Sequence, residues 1–217
     1  MIEIKNITKE FAGKRILTDA NACFPSSSLT TITGPSGTGK TTLLRIISGL
    51  TKPDEGEVII DSNPVANSKV NVPPFDRKIG FVFQSATLWP HMTVGQNVMF
   101  GMNCKHKNDK IQKFNEIAEM TKITSFINKY PHQISGGEAK RCAIARAIAP
   151  SFKHILMDEA LGSLDKDLKK DMVHVIKDFC IKELSACVIY VTHNVDEIAQ
   201  NSDRFFELKD GALKAYD

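Results

Sequence analysis

The sequence predicts an α/β fold built on a mostly parallel sheet. Two stretches carry that reading. A strand at residues 29–33 runs straight into the glycine-rich GPSGTGKT and then into a helical pattern, TLLRIISGL. Further on, HILMD and ACVIYVT read as buried strands joined by a helical segment, Lys166 to Leu184, which is the strand, helix, strand unit of a parallel sheet. A third observation, the near absence of strand signals from Ser85 to about Ala149, marks an inserted helical subdomain.

Residues 2–8, 15–24 and 29–33 are rich in Ile, Thr and Phe and are broken by Gly13 and the Pro25 to Ser28 cluster. They give three early strands and, in the fold class they enter, an N-terminal antiparallel β subdomain. After GPSGTGKT the apolar period becomes helical, with Leu43, Leu44, Ile46 and Ile47 on a buried face and Gly49 near the stop. EGEVIID and KIGFVFQ follow as short strands, separated by a polar, proline-containing stretch from Ser62 to Arg77. Helical patterns then cover Val94 to Met102, Asp109 to Met120 and Glu138 to Ala149. The chain closes with a short helix near Asp196 to Gln200 and two strands in RFFELKDGALKAY, turned at Asp210-Gly211. The expected organisation is one domain over residues 1–217, with 1–84 and 150–217 as core and β subdomain and 85–149 as the helical part.

Composition bounds the function classes. With 217 residues and 42% hydrophobic content the chain can fill a real core. A net charge of +3, from 28 basic and 25 acidic side chains, gives no electrostatic case for nucleic acid, and no nucleic-acid partner is expected. Cys23, Cys104, Cys142, Cys180 and Cys187 form no CxxC pair and lack zinc spacing, so they read as reduced and intracellular. No window reaches the ~18 apolar residues of a membrane helix, so any membrane role is expected to come through a partner.

GPSGTGKT fits GxxxxGK[ST] in the required place, between strand and helix, and predicts a P-loop NTPase core. Gly34, Pro35, Ser36, Gly37, Thr38 and Gly39 would wrap backbone N–H groups around phosphate oxygens, at the positive end of the helix dipole. Lys40 reaches the β and γ phosphates, Thr41 places its hydroxyl on Mg²⁺, and Thr42 is counted with the nucleotide-binding residues. HILMDEA delivers Asp158 and Glu159 at the C-terminal end of a strand, where open α/β sheets bind ligands. Asp158 suits Mg²⁺, directly or through water, and Glu159 is placed to take a proton from an attacking water. A P-loop alone leaves kinases, GTPases and ATPases open.

With these pieces in order, and with ISGGE at Ile134 to Glu138, the chain resembles the nucleotide-binding subunits of ABC transporters along its whole length. ISGGE resembles the family signature LSGGQ, and its spacing to Asp158 is typical. The resemblance implies ATP and Mg²⁺ as cofactors and a head-to-tail pair of ATPase subunits. In such a pair Ser135, Gly136 and Gly137 of one subunit cap the nucleotide held by the other. It implies that adenine stacks on Phe11, where the family more often has Tyr, and that Gln84 senses Mg²⁺ and water. Asp165 of LGSLD would touch the opposite site, and His193 of VTHN would contact the γ phosphate. Glu159, His193, Lys40 and Gln84 are then the catalytic set, and Thr41, Gln84 and Asp158 the metal set.

The implied partners are a second ATPase subunit, integral membrane permease subunits and an extracytoplasmic solute-binding protein. The implied place is the cytoplasmic face of the cell membrane. Leu88, Trp89 and Pro90 look exposed and would meet a permease, and NVMFG resembles importers of polar amino acids. An exporter subunit for lipid or lipoprotein release is the alternative. Three departures stand out: Ile134 for Leu, Glu138 for Gln and Ala160 for Pro. Glu138 brings a charge that suits the helix dipole but would repel phosphate, so it is expected to face away.

Overall fold

The computed structural model describes residues 1–104, 106–194 and 201–216, so the short helix expected near Asp196 to Gln200 lies outside the described residues. Two sheets form. The first is antiparallel, in the order β2-β1-β4-β5, from β1 Ile2–Phe11, β2 Lys14–Phe24, β4 Glu55–Ile60 and β5 Asn63–Ala66. The second has the order β10-β9-β3-β8-β7-β6, from β3 Ser28–Thr33, β6 Ile79–Val82, β7 His154–Asp158, β8 Cys187–Val191, β9 Arg204–Lys209 and β10 Ala212–Tyr216. All its pairings are parallel except β9 with β10, which closes one edge as a hairpin.

The mixed fold class is as expected, and the third early strand, β3, leaves the antiparallel sheet to become the centre of the parallel one. The polar stretch from Ser62 to Arg77 holds a strand that periodicity does not reveal. β5 is only NPVA, and its proline sits on the sheet edge, where no ladder donor is missed. Buried Val65 and Ala66 hold it to the core.

β7 and β8 are buried at every residue, as strands covered on both faces must be. Their alternation divides two cores. Ile155, Met157, Val188 and Tyr190 face the helices α2 Val94–Phe100, α3 Lys107–Met120 and α4 Gly136–Ile148. Leu156, Ile189 and Val191 face the antiparallel sheet and α1 Lys40–Ser48. The segment expected as one helix from Lys166 to Leu184 is α5, Lys166–His174, continued by wider π-helical turns over Val175–Glu183. No helix of the described residues is long and apolar enough to cross a membrane, and all five cysteines are free thiols.

Because β3, β6, β7 and β8 run parallel, their C-terminal ends share one edge of the sheet. Gly34, Gln84, Asp158, Glu159 and His193 all lie at or just beyond those ends, which is why residues far apart in sequence meet.

Candidate functional site

The loop Gly34 to Gly39 turns from β3 into α1 on backbone that side chains resist. Gly34 has φ +149°, and a Cβ there would lie 2.5 Å from the Leu208 carbonyl oxygen of β9. Gly39, at the helix cap, has φ +106°, and a Cβ would lie 2.8 Å from Ile16 Cγ2. Thr38 Oγ1 donates to the Pro35 carbonyl at 2.9 Å, and Lys40 Nζ donates to the carbonyls of Gly34 at 2.6 Å and Pro35 at 2.8 Å. The ammonium is thereby held inside the loop. Burial pushes the Lys40 pKa down, and the charges of Glu159 and Asp158 oppose that shift.

At the other end α1 stops on Gly49, φ +84°, and on Arg77, a buried residue with no sequence signature of its role. Its guanidinium donates to the Ile46 and Ile47 carbonyls at 2.9 and 2.8 Å and to those of Val72 and Val65 at 2.8 and 3.1 Å. The last carbonyls of the helix, which have no partner within it, are satisfied this way. Burial pushes the Arg77 pKa down to about 10.

Thr41 Oγ1 donates to Asp158 Oδ2 at 2.8 Å, joining the loop to the end of β7. Asp158 is buried, and burial pushes its carboxyl pKa up against the opposing Thr41 hydrogen bond; the charge of Glu159 adds to the rise, while Lys140 and Lys40 oppose it. Glu159 turns away from the strand at φ +47°, its N–H donating to the Val191 carbonyl at 2.9 Å. Its carboxylate is held on both oxygens: Gln84 Nε2 donates to Oε2 at 3.0 Å, and His193 Nδ1 is hydrogen-bonded to Oε1 at 2.7 Å.

A cleft of about 280 Å³ runs along these groups, lined by Phe11, Ile16, Ser36, Gly37, Gly39, Lys40, Thr41, Thr42, Gln84, Asp158 and Glu159. Phe11 is 48% exposed at its far end, with Lys9 Nζ 5.1 Å from the ring centroid. Ile16 of β2, next to the buried Leu17, is a lining residue that sequence reasoning missed. The oxygen donors Thr41 and Asp158 fit Mg²⁺, which takes one or two protein oxygens and completes its shell with phosphate and water. Among the described residues no group of three or more His, Cys, Asp and Glu could hold a metal by itself.

Ser135, Gly136, Gly137 and Asp165 do not line this cleft. Ser135 caps α4 in a reciprocal box: the Glu138 N–H donates to its Oγ at 3.3 Å, and Glu138 Oε2 accepts from the Ser135 N–H at 2.8 Å. Glu138 is thus turned onto its own helix start, and those hydrogen bonds hold its carboxyl below its usual pKa. A Cβ at Gly136 would meet nothing within 4 Å, and one at Gly137 only Leu164 Cδ2 at 3.8 Å, so the fold of this chain alone does not require the glycine pair. Asp165 caps α5, accepting from the N–H groups of Asp167 and Leu168 at 3.1 and 2.9 Å.

Leu88 and Trp89 are half-buried rather than exposed, while Pro90 is exposed as expected. Leu88 packs on the helical core, and the Trp89 ring lies between Arg146, 4.7 Å from its centroid, and Phe100, whose ring centroid is 4.6 Å away. Phe100 is the exposed member, at 61%. Lys140, also missed from sequence, is buried behind Gln84, with its Nζ on the carbonyls of Phe83, at 3.0 Å, and Gln84.

Fold and cleft together define a P-loop nucleotide-binding protein. Residues 17–162 match the family described as ABC transporter, and the chain belongs to that family. It is 36% identical over 219 residues to the sulfate/thiosulfate import ATP-binding protein CysA of Pseudomonas aeruginosa, covering 98% of this chain and 65% of that protein. It is 38% identical over 216 residues to the spermidine/putrescine import ATP-binding protein PotA of Aliivibrio fischeri, covering 99% of this chain and 57% of that one. The chain therefore spans less than two thirds of the length of these relatives. Among solved structures, the dimeric ATP-binding cassette MJ0796 in a post-hydrolysis state with ADP and Pi superposes with a TM-score of 0.88. The identity there is 31%, and the match covers 100% of this chain and 98% of that one.

Proposed function

We propose that this chain is the ATP-binding and ATP-hydrolysing subunit of an ABC importer, acting as a head-to-tail pair on separate membrane permease subunits. The observation that carries the reading is the Glu159 carboxylate, held by Gln84 on one oxygen and His193 on the other, beside an Asp158 bonded to the P-loop threonine. The two partners fix its direction, as a general base needs. Adenine stacks on Phe11, and the loop N–H groups and Lys40 hold the phosphates. Thr41 and Asp158, with Gln84 beside them, hold Mg²⁺, which supplies neutralisation of the phosphate oxygens when bound. Glu159 takes the proton of the attacking water, while Lys40 and His193 face the charge that develops on the γ phosphoryl.

The pairing is supported by Gly136 and Gly137, which nothing in this chain's own packing requires, and by the dimer in which the MJ0796 cassette is seen. Ser135 and the two glycines then complete the partner's site, with Asp165 near the crossing. Residues 85–149 act as the helical signature subdomain and 1–84 with 150–217 as the core, a division supported by the lack of strands between β6 and β7 among the described residues. A permease seats at the exposed Phe100 ring, which packs on Trp89; the chain then works at the cytoplasmic face of the membrane, with a solute-binding protein outside. The solute is small and polar. The amino-acid reading of NVMFG finds no echo in the names of CysA and PotA, which give an anion and a polycation at nearly equal identity.

The test is Glu159→Gln. An amide has one accepting oxygen where the carboxylate has two, so it cannot accept from both partners as Glu159 can. Hydrolysis should fall at least ~100-fold, and with ATP and Mg²⁺ the variant should accumulate as a dimer by light scattering. Turnover near the wild-type rate, or no dimer while ATP is bound, rejects the reading.

A further inference from the structure

The segment that carries Gln84 belongs to no helix or strand, yet its carbonyls are held by two cations of α4. Lys140 Nζ donates to Phe83 O at 3.0 Å and to Gln84 O, and Arg146 donates to Thr87 O at 2.9 Å and Ala86 O at 3.3 Å. The helix itself cannot drift from the strand that launches this segment. At Gly80 of β6 an added Cβ would lie 2.4 Å from the Ala147 carbonyl oxygen of α4, so the two backbones touch. The geometry thus ties the start of the segment to a rigid element at residues 83, 84, 86 and 87.

Lys140 is the unusual member. It is 6% exposed, and among the described residues no carboxylate lies within ion-pair distance of it; its Nζ is spent on main-chain carbonyls. Taking an ammonium out of water costs several kcal/mol before compensation, so a buried lysine on two carbonyls calls for a reason. Leucine or methionine would fill the same space without that cost. The reason available here is directional. The Gln84 side chain reaches Glu159 Oε2 at 3.0 Å, and a shift of its backbone by a fraction of that distance breaks the contact.

We propose that Lys140 is a positioning residue for hydrolysis: by pinning the Phe83 and Gln84 carbonyls to α4, it sets the backbone from which Gln84 reaches Glu159. The proposal rests on Glu159 being the general base. Lys140 touches neither nucleotide nor water in this role; besides the charge by which it eases the ionisation of Asp158, it acts on Glu159 through Gln84.

The experiment is a double-mutant cycle of Lys140→Met and Gln84→Ala in the full chain with ATP and Mg²⁺. Lys140→Met should lower kcat about 10- to 100-fold, as misplacement near an ångström does, with KM for ATP within about twofold of wild type. In the Gln84→Ala background the same change should cost nothing further. Independently of turnover, amide exchange should quicken at residues 83–87, and the emission of Trp89, the single tryptophan of the chain, should shift. If Lys140→Met does not fold, Lys140→Gln, which keeps an N–H donor, goes through the same cycle and should show a smaller loss that also vanishes without Gln84. Multiplying losses, an unchanged kcat, or unaltered exchange at 83–87 overturns the proposal. A wild-type chain that never hydrolyses ATP would instead overturn the general-base reading, and the exchange arm would still decide the pinning.

Discussion

Thr41 and Asp158, 117 residues apart, share a 2.8 Å hydrogen bond in which the hydroxyl donates and the buried carboxylate accepts. It links the phosphate loop directly to the acidic pair at the end of β7, and it is built from a group the fold would do better without. Burial disfavours the ionised form of Asp158, and Glu159 beside it adds to the penalty. A residue whose charge is unfavourable where it sits is one kept for what it binds.

The stability consequence has a definite sign. The Asp158 carboxyl is raised above its usual 3.8 in the folded chain, so the folded state holds its proton more tightly than the unfolded one. This group therefore lowers stability progressively as pH rises from 3.8 through the raised pKa, and the loss persists at neutral pH. Asp158→Asn keeps an acceptor for Thr41 and removes the charge. The variant should melt at a higher temperature than wild type at neutral pH without nucleotide, with the advantage shrinking in acid, while Mg²⁺-dependent ATP hydrolysis disappears. A lower neutral-pH melting temperature would contradict the burial argument.

Ser135 serves the monomer and, in the proposed pair, the partner, and two substitutions separate the roles. Ser135→Ala and Ser135→Arg both remove the N-cap of α4 and should each cost about 1 kcal/mol of stability. Only arginine puts a long cation where the opposite nucleotide would sit. Titrated with ATP as monomers, both variants should bind like wild type. In a Glu159→Gln background, light scattering should find the dimer with alanine and not with arginine. Weakened ATP binding by the Ser135→Arg monomer would mean that the signature acts on its own chain's nucleotide.

Much of this arrangement could be read from sequence where one short run fixes both geometry and chemistry. The P-loop needs glycine at Gly34 and Gly39 because β9 and Ile16 come too close for a side chain, and so the glycines appear as a motif. HILMD and ACVIYVT are legible because strands covered on both faces are apolar throughout. β5 was hidden because an edge strand tolerates Pro64 and looks like a turn. Arg77 and Lys140 were hidden for a different reason. Their partners are carbonyls of Ile46, Ile47, Phe83 and Gln84, and every residue has a carbonyl, so no residue type marks the contact. Asp165 shows the converse: a motif residue the resemblance assigns to a partner already has work at home, capping α5.

Glu138, the departure that sequence could not account for, yields the last prediction. Its carboxylate accepts from the Ser135 N–H at 2.8 Å, closing a capping box at the positive end of α4. A glutamine in its place would keep the acceptor and lose the charge, so Glu138→Gln should cost only a few tenths of a kcal/mol at this partly exposed site. Because the folded carboxyl is held below its usual 4.5, that small contribution is present above 4.5 and lost as pH falls through the depressed pKa; wild type and variant should converge in acid. Hydrolysis should change by less than about twofold, since a group bound to its own helix start is turned from the partner's phosphates. Should Glu138→Gln instead speed hydrolysis or tighten the ATP-bound dimer severalfold, the carboxylate faces across the interface in the pair. The box seen here would then have to open on closure.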